Sequence, residues 1–87
     1  MDQELFIDVR TDEEWNEGRL DGALHFELAR LQQGQLPDLA KDAPIAVYCR
    51  RGVRAEQARK ILQENSFLNV RNAGGFDDLM AQGKKTV

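Results

Sequence analysis

Cysteine and histidine each occur once in the 87 residues, as Cys49 and His25. A single cysteine cannot close an intramolecular disulfide. Structural zinc sites of four cysteines, or of mixed cysteine and histidine ligands, are excluded as well. No run approaches the roughly 20 apolar residues of a membrane-spanning helix. No basic start leads into an apolar stretch and a small-residue cleavage site, so a signal peptide is not expected. Repeats, low-complexity tracts and linkers are also lacking. The net charge of -3 weighs against nucleic acid as the main partner. A hydrophobic content of 41% is too high for a disordered chain. A length of 87 residues then amounts to one small domain, expected to span 1–87.

The charge that is present is unevenly placed. Arg50, Arg51, Arg54, Arg59 and Lys60 stand against Glu56 alone, a local charge of +4 that leaves -7 for the rest of the chain. This basic island begins directly after the only cysteine.

The apolar pattern alternates between two periods. Leu5–Val9 and Ala23–Phe26 read as short strands, and Ile45–Tyr48 is continuously apolar, as in a central strand covered on both faces. Phe67–Asn72 reads as a last strand, with Gly74-Gly75 as a flexible turn. Between these, Thr11-Asp12-Glu13-Glu14 is a capping box opening a short helix that ends at Gly18. Glu27 to Gln33 forms a further helical turn or two. Ala55, Ala58, Ile61 and Leu62 form one stripe of a helix over residues 53 to 64, with Asn65 as its left-handed stop. Phe76, Leu79 and Met80 share one face of a terminal helix. Strands alternating with helices predict an α/β fold with a mainly parallel sheet. Ligands of such sheets bind beyond the carboxyl ends of the strands, which is where Cys49 falls.

The segment Cys49-Arg50-Arg51-Gly52-Val53-Arg54 joins the central strand to the amphipathic helix. Gly52 allows an unusual backbone angle, so several amides can turn towards one point. The helix N-terminus and the arginines add positive potential there. A free thiol with a pKa of about 8.5 is only about 3% ionised at neutral pH. A cradle lowering that value by roughly two units, about 2.7 kcal/mol, would make the thiolate predominate. The bland reading is a small core cysteine followed by a solvated helix start. Cations at a helix N-terminus oppose the helix, however, which favours a functional reading. An exposed, nucleophilic thiol acting on an anionic sulfur or phosphorus compound is the expectation.

The same loop resembles the C-x-x-G-x-R active-site loop of the rhodanese (thiosulfate sulfurtransferase) family. Ile7-Asp8-Val9-Arg10, Glu13-Glu14-Trp15 and Gly18-Arg19-Leu20-Asp21-Gly22-Ala23 are similar to that family's opening motif. Asn72-Ala73-Gly74-Gly75-Phe76 resembles its closing N-x-x-G-G, with one residue fewer before the glycines. Arg19 and Asp21 replace a usual histidine and proline, and Phe76 stands where a tryptophan is frequent. The resemblance covers residues 5 to 83 and is nearest to small single-domain bacterial forms. Related phosphatases and arsenate reductases use C-x5-R, whereas here Ala55 occupies the later position.

The resemblance implies a rhodanese-like α/β fold: a mainly parallel sheet of four to five short strands with helices on both faces. It implies Cys49 as the catalytic nucleophile and Arg50, Arg51, Gly52, Val53 and Arg54 as the substrate-binding loop. Arg50 and Arg51 would attract the donor, and Arg54 would brace the loop. Sulfur would pass from thiosulfate to cyanide or a thiol through a Cys49 persulfide, or to a partner protein. A non-catalytic interaction module is the weakest alternative. No metal, cofactor, nucleic acid or membrane is expected. The chain is expected to act as a monomer in the cytoplasm, or in the periplasm if an export signal has been removed. Asp8 with Arg10 reads as a structural pair, His25 as a packed or solvent-facing histidine, Trp15 as packing, and Glu13-Glu14 as a solvated helix start.

Overall fold

The computed structural model describes residues 3–87; the first two positions of the expected 1–87 domain lie outside the described residues. Strands and helices alternate: β1 (Leu5–Asp8), α1 (Asp12–Glu17), β2 (Leu24–His25), α2 (Leu28–Gln32), β3 (Ile45–Cys49), α3 (Val53–Glu64), β4 (Val70–Gly75) and α4 (Phe76–Ala81). The four strands are parallel, in the order β2-β1-β3-β4. Every strand therefore ends at the same rim, and the loops that leave it can converge.

All five residues of β3 are buried, as its continuous apolar run predicts. Alternate side chains go to opposite faces of a strand. Ile45, Val47 and Cys49 share one core with Leu28 and Leu31 of α2 and Ala55, Ala58 and Leu62 of α3. Tyr48 goes to the other face, beside Leu20 and Leu79 of α4. Helices thus cover both faces. The alanines of α3 let that helix lie close to the sheet, and they start it directly over the end of β3.

Three sequence readings are corrected, and one pairing is added. β4 begins at Val70 and takes in Gly74 and Gly75, while Phe67 is buried ahead of it and Leu68 is 70% exposed. The left-handed residue after α3 is Ser66 (φ 73), whereas Asn65 keeps φ -105 and turns its side-chain amide to the Ile61 carbonyl. Met80 is 40% exposed, so Leu79 and the half-buried Phe76 carry the apolar face of α4. The chain also pairs residues 19–21 with 85–87, through hydrogen bonds including Val87 N–H to the Arg19 carbonyl at 2.8 Å.

The Asp8–Arg10 pair is structural, as expected. Arg10 Nε and Nη2 donate to the Asp8 carboxylate at 2.9 and 2.7 Å, and Nη2 also reaches the Gly18 carbonyl at 2.6 Å. The guanidinium lies 4.4 Å from the centre of the Phe76 ring. One buried cation thereby fixes the exit of β1, the end of α1 and the start of α4. Breaking a buried pair strands the remaining charge, at a cost of roughly 3–5 kcal/mol. Arg10→Leu is expected to lower the unfolding free energy by about that much in urea titration; a midpoint equal to that of the parent chain would show the pair to be dispensable.

Candidate functional site

The alternation of β3 aims Cys49 at the α3 face, beneath the first turn of that helix. The Gly52 N–H donates to Cys49 Sγ at 2.9 Å and the Ala55 N–H at 3.4 Å. Gly52 is the N-cap of α3, in the left-handed region at φ 99, and it has no side chain to cap the helix. Ala55 is the third residue of the helix. An N-cap serine or threonine would accept this same amide. The sulfur replaces that oxygen, so it receives the orphan donors and the positive end of a 12-residue helix.

Cys49 is 1% exposed, which corrects the expectation of an exposed thiol. It lines the floor of a pocket of about 180 Å³ together with Arg50, Arg51, Val53 and Arg54. Liquid water occupies about 30 Å³ per molecule, so this space suits an anion of a few atoms. Drug-sized ligands take pockets of roughly 300–1,000 Å³. The loop thus brings five of its six sequence-derived candidates to one pocket. Gly52 lies on the far side, where Arg51, Val53, Gln57, Lys60 and Asn72 help to line a wider groove of about 660 Å³.

The arginines divide into two kinds. Arg54 donates to both Glu14 oxygens, at 2.7 and 2.9 Å. Arg50 Nε stands 3.4 Å from the same carboxylate with its side chain 57% exposed. Arg51 is exposed and makes no ion pair among the described residues. Glu14 is the residue that sequence reasoning missed: a helix-start glutamate closes the capping box with Thr11 and clamps the cysteine loop. The hydrogen bonds from Arg54, helped by those from Thr11, lower its carboxyl to about 2 against an opposing desolvation. Capping-box spacing was visible in the sequence; the 40-residue separation from Arg54 was not.

Two further supports come from the end of β4. Its register against β3 shifts between Val47 and Tyr48, leaving Ala73 as an extra residue. This bulge sets Asn72 so that its Nδ2 donates to the Gly52 carbonyl at 2.9 Å, while its Oδ1 accepts from Gly74 N–H at 2.8 Å. Gly75 is required by contact. A Cβ there would overlap the Arg50 carbonyl oxygen and lie 3.1 Å from Arg51 Cα. The paired glycines are therefore the seat of the loop rather than a free turn. His25 is packed, stacked on Trp15 with ring centres 4.7 Å apart, as expected.

The chain matches the rhodanese-like domain family over residues 1–82. It is 34% identical over 79 residues to thiosulfate sulfurtransferase PspE of Escherichia coli (strain K12), covering 87% of this chain and 74% of that protein. It is 37% identical over 76 residues to putative sulfurtransferase YtwF of Bacillus subtilis (strain 168), covering 86% and 73%. The crystal structure of the Rhodanese_3 like domain from the Anabaena sp. protein Alr3790 superposes with a TM-score of 0.88 at 27% identity, covering 98% of this chain and 99% of that one.

A carboxyl lowered from 4.5 to about 2 stabilises the fold above the unfolded value and loses that contribution as pH falls to about 2. Partial solvation of the pair reduces the full linkage value to about 1–2 kcal/mol. Glu14→Gln should therefore differ from the parent by about that amount at pH 6 and converge with it near pH 2. A gap independent of pH across that range would remove the charge from the explanation. Gly75→Ala should cost about 1–3 kcal/mol through overpacking, read from urea midpoints; a neutral substitution would show that the loop does not rest on this glycine.

Proposed function

The chain belongs to the rhodanese family, and from that premise we propose that it is a thiosulfate sulfurtransferase in which Cys49 carries the transferred sulfur. The observation that carries this reading is the sulfur at the floor of the small pocket, accepting the Gly52 and Ala55 amides under the start of α3. The domain acting in this way is read as residues 1–87.

The Cys49 thiolate attacks the outer sulfur of thiosulfate. A sulfur–sulfur bond forms to Cys49 as the one to sulfite breaks, and sulfite leaves with the electron pair and two negative charges. Arg51, free of ion pairs among the described residues, and the exposed Arg50 attract the dianion and stabilise the departing sulfite. The persulfide that remains carries one negative charge, and the amides of the loop hold it. Cyanide or a thiol then takes the outer sulfur and returns the thiolate. With the thiol already ionised, neither step needs a general base. Gly52 and Val53 shape the turn and the rim, and Arg54 acts through Glu14 as a brace.

Transfer to a partner protein shares the first half-reaction. It is favoured by the open groove of about 660 Å³ beside the loop, where Arg51, Val53, Gln57 and Lys60 offer a surface larger than a small acceptor needs. Intact mass after incubation with thiosulfate tests the covalent step. A gain of about 32 Da, one sulfur atom, is expected. It should disappear on adding cyanide and fail to form in Cys49→Ser. An unchanged mass in the parent chain, or turnover retained by Cys49→Ser, would overturn the reading.

A further inference from the structure

We propose that Asp12, His25 and Glu27 form a binding site for a divalent first-row transition metal ion, separate from the cysteine pocket. One donor atom from each residue lies within 4.8 Å of the other two. They come from the first turn of α1, from β2 and from the N-cap of α2, so the rim of the sheet gathers them from two loops. None of them lines the pocket around Cys49.

The imidazole is already oriented for such a role. His25 Nε2 is 2.8 Å from the Arg10 carbonyl oxygen. A carbonyl can only accept, so Nε2 carries a proton, and Nδ1 has a lone pair to offer a cation whenever it is not itself protonated. Nδ1 stands 3.6 Å from Oδ1 of the Asp12 carboxylate. An acceptor facing an acceptor is unfavourable unless a proton or a cation lies between them. A ring nitrogen bonded to a backbone carbonyl while its partner meets carboxylates is also the usual outer-shell arrangement of a metal-bound histidine.

The frame behind the ring is stiff. Trp15 stacks on it with an interplanar angle of 9°, and the Arg10 segment is locked by the buried pair with Asp8. The carboxylates supply adjustment, since the Asp12 side chain is 76% exposed. Bonds of about 2.0–2.1 Å in a tetrahedral zinc site put ligands about 3.4 Å apart. The proposal requires Asp12 and Glu27 to rotate inward from separations of up to 4.8 Å, with solvent completing the shell. One imidazole with two carboxylates suits zinc, cobalt or nickel over calcium or magnesium.

The test uses Cys49→Ser protein, stripped with chelator and titrated with zinc chloride, so that the thiol cannot contribute. Calorimetry should show one equivalent of zinc bound. His25→Asn and the pair Asp12→Asn with Glu27→Gln should each weaken binding at least tenfold. Asp12 is exposed and Glu27 only partly buried, so the isosteric carboxylate variants test the site even if loss of the imidazole disturbs the fold. Because His25 is the only histidine, its ring nitrogens give a single nitrogen-15 pattern, and zinc should shift Nδ1 while Nε2 keeps its proton. No zinc uptake, affinity unchanged in the carboxylate variants, or coordination through Nε2 would each overturn the proposal.

Discussion

A helix needs acceptors for its first amides, and in this chain the third residue of α3 donates its amide to a sulfur. Gly52 opens the helix without a capping side chain, and Cys49 reaches up from the last position of β3 to fill the vacancy. The rest of the site follows from that substitution. Burial on the floor of a pocket, contact with two N–H donors and proximity to three guanidinium groups all come from placing a strand-end cysteine under a helix start. Although buried, Cys49 still lines the pocket formed with its own loop.

Keeping the sulfur there requires the loop to hold its curve against three mutually repelling arginines. Glu14 offsets this repulsion from one side through Arg54 and Arg50. Asn72 holds the Gly52 carbonyl from the other, and Gly75 lets the Arg50 carbonyl approach β4. Arg51 is left as the exposed charge. A division of labour results, in which one arginine is structural, one is shared and one makes no ion pair among the described residues.

The sequence exposed much of this because the relevant signals are local. The buried run at Ile45–Tyr48, the stripe from Ala55 to Leu62 and the loop between them lie within 20 residues, and periodicity reads them well. What escaped was long-range or hidden in the backbone. Glu14 looks like any helix-start acid until Arg54 arrives from 40 residues away. The bulge at Ala73 leaves no mark in hydropathy, and β4 runs three residues later than the apolar pattern predicts. An arginine-rich loop suggested an exposed thiol, yet the alternation of β3 commits Cys49 to the buried face. Asp12, His25 and Glu27 share no sequence motif, and only the fold brings their side chains together.

The strand order also carries information about assembly. β3, α3 and β4 are consecutive, so Cys49, its helix amides and the Asn72 contact can form within a segment of about 30 residues, with little chain entropy spent on loop closure. Pairing of β1 with β3 instead joins Leu5 to Ile45, which costs about 3 kcal/mol of closure entropy before any contact returns it. The cysteine loop is thus encoded in the part of the chain with low contact order, whereas its clamp, Glu14, arrives only when the first third docks. Nucleation there would couple the productive shape of the loop to the earliest stage of folding and leave its rigidity to the last.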